Sequence, residues 1–161
     1  IVGMDLFGFW EIIESSRGNA NAISRQLQTL QPAEIEGWNR TFWELHSAAY
    51  RWDLWGAAYL ILGGCSDDSF DYFRAWLIGK GRTAYEAALQ NPESLVTVVT
   101  DQDIEEDCDN ESLMSVAEDA YEMVTGQHLH YTPSQPPDPI GEEWEEEDLP
   151  TRFPLLNARF D

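Results

Sequence analysis

The chain predicts an all-α protein: a single compact bundle of about seven helices, then an extended, proline-rich, acidic C-terminal arm that docks back. Three observations carry this. Apolar residues recur at three- and four-residue spacings through the first 125 positions, the period of helices with one buried face. Gly18, Gln31-Pro32, Gly63-Gly64, Gly79 to Gly81, Asn91-Pro92 and Gly126 punctuate those stretches. From Tyr131 the composition changes, with Pro133, Pro136, Pro137 and Pro139 followed by an acidic run, Glu142 to Asp148, broken only by Trp144. The expected division is a helical domain over 4–131 and an arm over 132–161 that packs on that domain or on a neighbouring subunit.

The elements are taken in chain order. Asp5 can cap a helix that places Phe9, Ile12 and Ile13 on one face and ends at Gly18-Asn19. A second carries Ile23, Leu27 and Leu30, and Pro32 then suits the first turn of a third, where its missing N–H costs nothing. That third helix holds Ile35, Trp38, Phe42, Leu45 and Ala49, widened by Trp43, His46 and Tyr50; so broad an apolar arc marks it as central. The pattern restarts at Trp52, Trp55, Tyr59 and Leu62 and stops at Gly63-Gly64. Ser66 or Asp67 caps the next helix, with Phe70, Phe73 and Leu77 inside. Thr83 to Glu86 reads as a capping box opening a short helix to Leu89. Leu95 to Thr100 reads as an extended link or a helical turn, and Asp101 to Asn110 as an acidic loop with at most one turn. Leu113, Val116, Ala117, Ala120, Tyr121 and Val124 make the last helix of the bundle.

Composition bounds the function. The 161 residues suffice for one independently folded domain. Thirty acids against nine Lys plus Arg give a net charge of −21, with Lys80 the only lysine. The excess is not confined to the arm: residues 1–131 hold twenty-two acids and seven basic residues. Such a surface repels nucleic acid and anionic membranes and favours a basic protein partner. No apolar run reaches a membrane span. Cys65 and Cys108 suit a cytoplasmic protein with reduced thiols. Ile1-Val2-Gly3 before Met4 reads as a cloning remnant, with Met4 the natural start.

Three stretches carry a family resemblance: MDLFGFWEII from Met4, WDLWGAAYLILGGCSDDSFDYFRAWLIGKGR from Trp52, and EEDLPTRFPLLNARF ending at Phe160. They resemble the bacterial DUF4240 family, whose function is unknown. The most specific part is GGCSDDSFDYFRAWLIGKGR, Gly63 to Arg82. The resemblance implies one mainly helical domain of this size with its tail included, and it carries no activity to transfer.

The candidate site therefore rests on the residues. Asp67, Asp71 and Arg74 share one helix face, and Lys80 and Arg82 come next, among glycines. Together they could line a pocket for a small ligand, with Trp52 and Trp55 as rings beside it. The plainer reading is an Asp71–Arg74 ion pair and two cations favouring a helix C-terminus. Arg82 also directly precedes the Thr83 box, so a helix start there could hold an anion. The acidic stretch from Asp101 fails as a calcium loop, with Glu106 and Ser112 where glycine and glutamate are needed. His128 and His130 lack companions at a recognised metal spacing, and no metal or other cofactor is called for. No nucleophile elbow, phosphate loop or dinucleotide fingerprint occurs, which leans away from an enzyme. The leading expectation is a protein-interaction or regulatory module that inhibits a basic partner. The rival is a small-ligand-binding protein or enzyme using Asp71, Arg74, Lys80 and Arg82. In the arm, Phe153, Leu156 and Phe160 are expected to fill grooves on the helical body.

Overall fold

The computed structural model describes residues 5–161; the reading of Met4 as natural start lies outside them. Ten α-helical segments occur among the described residues: α1 Leu6–Ser15, α2 Ala20–Leu27, α3 Pro32–Ala48, α4 Trp52–Leu62, α5 Asp67–Gly79, α6 Arg82–Gln90, α7 Asp101–Glu105, α8 Val116–Thr125, α9 Leu149–Arg152 and α10 Pro154–Phe160. Short 3-10 turns occupy Pro92–Thr97, Glu111–Met114 and Glu146–Asp148. The described residues contain no strand, only an isolated bridge between Arg51 and Ile140. No described helix is long and apolar enough to cross a membrane.

Most boundaries are local chemistry. Asp5 accepts from the Gly8 amide at 2.7 Å, Asn19 from Ala22 at 2.9 Å and Ser66 from Ser69 at 3.1 Å, so each satisfies a donor that its helix cannot. Gly63 closes α4 at φ +71°. Gly18, at φ +68°, is required twice over: a Cβ there would lie 2.4 Å from the Gly79 carbonyl oxygen, so glycine lets the α1–α2 turn touch the end of α5. Thr100 and Asp103 form a reciprocal box at α7, with contacts of 3.1 and 2.9 Å.

Two expectations are corrected. The Thr83 box does not form: α6 begins one residue earlier, after Gly81, and Glu14 of α1 accepts from the Arg82 amide at 2.9 Å. The anion at that helix start is the protein's own carboxylate. The arm is not extended throughout, which with α7 takes the segments beyond the expected seven. Pro150 and Pro154 stand in the first turns of α9 and α10, where proline starts a helix instead of breaking one.

The core is ring-rich. α3 packs against α1, α5 and α8. Trp38, fully buried, stacks on Phe42 at 5.9 Å and meets Phe9 at 4.8 Å. Leu149, Phe153 and Leu156 join the same buried cluster, and α10 lies against α4. Glu93 accepts from the Leu155 and Leu156 amides at 3.1 and 2.9 Å. Arg159 donates to the Val96 and Val99 carbonyls. Cys65 and Cys108 are both free.

Gly56, buried on α4, faces this contact. A Cβ there would meet Leu149 Cδ2 at 2.8 Å, Trp144 Nε1 at 3.0 Å and Phe153 Cε2 at 3.1 Å. Glycine to alanine within an open helix stabilises by roughly 1 kcal/mol. Here the methyl has no room and buried Leu149 cannot swing away, so Gly56→Ala should instead lower stability by about 1–3 kcal/mol. Urea unfolding reads the sign, and a gain would show that α4 and α9 are loosely apposed.

Candidate functional site

The sequence-selected residues fall into three settings. The first centres on Arg74, whose side chain is 0% exposed. Its Nε donates to the Phe70 carbonyl at 3.3 Å. Its Nη1 donates to the His46 carbonyl at 3.0 Å and to Gln135 Oε1 at 3.1 Å. Its Nη2 donates to Asp71 Oδ1. The guanidinium lies 4.6 Å from the Tyr50 ring centre and 4.8 Å from that of Phe70, both within cation–π range. Asp67 stands beside this group and accepts from the Tyr50 hydroxyl at 3.4 Å. The aromatic run continues outward: Phe70 stacks on Trp55 at 5.1 Å and Trp55 on Trp52 at 5.4 Å. Asp67, Asp71, Arg74, Trp55 and Trp52 thus form one continuous surface-to-core cluster.

Lys80 belongs to a second setting. It lies just past α5 and reaches Asp103 Oδ2 at 2.9 Å, with its ammonium 5.4 Å from the Trp76 ring centre. Asp103 also accepts from Trp76 Nε1 at 3.0 Å. These residues line a polar cleft of about 530 Å³, which Arg17 and Asn110 also line. Arg82 makes a third, pairing with Glu86 at 3.0 Å. Lys80 and Arg82 are two residues apart but serve different carboxylates.

Burial sets the titration of these groups. His46, 2% exposed, is held down at about 4 by burial and the nearby Arg74 charge, against a hydrogen bond with the Asp71 carbonyl at 2.9 Å. Facing a carbonyl, its Nε2 carries the proton. Burial pushes the Asp71 carboxyl up against the pull of Arg74, while a guanidinium stays charged. Burial alone would raise Asp103, but hydrogen bonds from the Thr100 amide, Lys80 and Trp76 outweigh it and hold the carboxyl low. Burial pushes the Cys65 and Cys108 thiols up to about 12, so neither is poised as a nucleophile. Among the described residues no three His, Cys, Asp or Glu side chains converge to hold a metal.

Several participants carry no sequence signal. Gln135 reaches Arg74 from 61 positions away. Glu14 and Glu93 look like surface acids in the sequence, yet each accepts from a backbone amide. Asp103 could have been found from its capping-box spacing to Thr100, and Trp144 as the one ring in the acidic run.

Removing the guanidinium should leave Asp71 half-buried without a partner. Arg74→Met is expected to cost about 3–5 kcal/mol, and adding Asp71→Asn should return a substantial part of it. Chemical denaturation of both variants tests this. The His46 imidazole gives a pH signature. Unfolded histidine takes a proton near 6.5, whereas native His46 stays neutral down to about 4. Its contribution is therefore complete above pH 6.5 and drains as pH falls toward 4, by about 3 kcal/mol in all. Raised Asp71 binds its proton more readily when native and offsets part of the loss at the low end. Thermal melts from pH 7 to 4 should show a steeper decline for the wild type than for His46→Gln.

No curated protein and no solved structure matches the chain. A family model described as Protein of unknown function (DUF4240) matches residues 4–123. That span takes in Arg74 and its partners other than Gln135, the Lys80 cleft and all but the end of α8, and stops before the arm. A match over well more than half of its length shows that the chain belongs to the DUF4240 family.

Proposed function

We propose that this protein is an interaction module that presents a dense, fixed carboxylate surface to a basic protein partner and acts by occupying that partner's cationic face. The observation that carries the reading is how the charges are deployed. Twenty-five of the thirty acids are exposed, the exceptions being Glu34, Asp53, Asp71, Glu93 and Asp103. Five of the nine cations are engaged by the protein itself: Arg51, Arg74, Lys80 and Arg82 pair with carboxylates, and Arg159 serves backbone carbonyls, while Arg17, Arg25, Arg40 and Arg152 lie exposed. Little positive charge is left to offset the surface, whose field favours cationic partners and repels nucleic acid.

The carboxylates are placed by helices and their caps. Those of α5 and of the loop before α8 converge around Tyr72, whose hydroxyl is pushed up chiefly by Glu111, then by burial and by Asp68, Asp109 and Asp71. A partner that binds duplex DNA, with one charge per roughly 1.7 Å, is the natural target of such a face. A second reading, a small-ligand binder or enzyme, is favoured by the polar cleft at Lys80 and Asp103. It loses ground because Arg74 and Arg82 do not line that cleft.

Titrating the protein with a panel of basic DNA-binding domains at increasing NaCl tests the first reading. Affinity should fall steeply with salt. Asp68→Asn/Asp109→Asn/Glu111→Gln should bind about tenfold more weakly, at under 1 kcal/mol per exposed charge. A panel with no binder at low salt, or a triple variant that binds like the wild type, would remove this face as the contact.

A further inference from the structure

The connection between α8 and α9, residues 126–148, differs in burial from the helices beyond it. Only Leu129, Tyr131, Pro139 and Trp144 along it are even half-buried, as is Thr125 just before it. Past its end, Leu149, Phe153 and Leu156 are 5% exposed or less. The hydrogen bonds that tie residues 134–144 to the body fall at four places. Ser47 Oγ donates to the Ser134 carbonyl at 2.8 Å. Arg74 donates to Gln135 Oε1. Ile140 exchanges two backbone hydrogen bonds, donating to the Tyr50 carbonyl at 2.8 Å and accepting from the Trp52 amide at 2.9 Å. Trp144 Nε1 donates to the Trp52 carbonyl at 2.6 Å, its ring standing at 87° to Trp52 and 89° to Trp55.

All four contacts lie along the end of α3, the start of α4 and Arg74. They are the means by which proteins hold an extended peptide: backbone pairing for affinity, and side-chain seats for selection. A hollow of about 590 Å³ lies between Glu44, Ser47 and Ala48 on one side and Gln135, Pro136 and Ile140 on the other. Pro136, Pro137 and Pro139 keep the segment extended at little entropic cost. Its neutral hydrogen bonds contribute only about 0.5–1.5 kcal/mol each. Both ends stay anchored, by α8 and by α9, when the middle lifts.

We propose that this line is a peptide-binding groove and that residues 134–144 are its tethered occupant. The partner it fits is an extended segment of another protein with three features. An acceptor side chain meets Arg74. Five residues on, an apolar residue pairs through its backbone with Tyr50 and Trp52. Four further on, a Trp or Tyr enters the slot beside Trp52, Trp55 and Tyr59. This surface adjoins the carboxylate face at Asp71 but rests on different contacts, and its failure would leave that reading untouched.

The probe is a fluorescent peptide spanning residues 132–147. In the wild type the tethered copy competes at an effective concentration of about millimolar, so the probe should bind weakly. Gln135→Ala/Trp144→Ala changes only the occupant and should bind the probe about tenfold tighter. A probe lacking its own Trp should lose that gain. Equal binding to both proteins, or none to the double variant, overturns the proposal. Loss of helical circular dichroism in the double variant also overturns it, because the segment is then part of the fold. Hydrogen exchange on the unaltered chain gives an independent readout. The Trp52 and Ile140 amides should exchange at least about tenfold faster than those of Leu155 and Leu156, whereas one common rate for all four overturns it.

Discussion

A single buried guanidinium organises this protein. Arg74 joins the end of α3 through the His46 carbonyl, its own helix through Phe70 and Asp71, and the C-terminal segment through Gln135. An unpartnered charge in that position would be prohibitive; a partnered one is costly but directional. The directionality does the organising. The His46 carbonyl belongs to the last turn of α3, where backbone acceptors lack helical partners. Arg74 supplies one donor there, and the Tyr85 hydroxyl supplies another to Leu45 at 2.6 Å. The end of the central helix is thus finished by side chains of α5 and α6, which fixes how the three meet.

The acidic surface arises from the same scarcity of cations. Of nine basic residues six are exposed, against twenty-five exposed acids, so carboxylates dominate the surface. Several acids also serve the fold as helix caps reached through space, Glu14 for α6 and Glu93 for α10. Negative charge at a helix start is favoured by the backbone dipole as well as by hydrogen bonding. A strongly anionic chain therefore has an internal use for its charge, separate from any partner.

The legible part of the sequence was local. The caps at Asp5 and Ser66, the proline opening α3 and the glycine closing α4 act over three or four residues, and each is found where the spacing puts it. The Asp71–Arg74 pair was legible for the same reason, since one helical turn sets their distance. Its complete burial was not, because the covering groups come from His46, Tyr50 and Gln135. Thr83 is not the cap because α6 starts one residue earlier, at Arg82, whose amide meets a carboxylate 68 positions upstream. Lys80 and Arg82, nearly adjacent in sequence, read as one cluster, yet the turn through Gly81 at φ +104° sends them to separate acids. The arm read as extended, because nothing in the sequence beside a proline separates one that starts a helix, as Pro150 and Pro154 do, from one that breaks it.

Gly56 has a consequence for how the protein is made. The groups that cover it, Leu149 and Phe153, lie 93 and 97 positions downstream and are synthesised well after it. Everything from α1 to α8 can emerge and assemble while that face of α4 is still bare. The closing step cannot begin until α9 and α10 have left the ribosome. Until then the nascent chain displays an apolar strip of the kind that holding chaperones recognise and that aggregation exploits. The interval between synthesis of α9 and the seating of Leu149 and Phe153 is the most exposed moment in the life of this molecule.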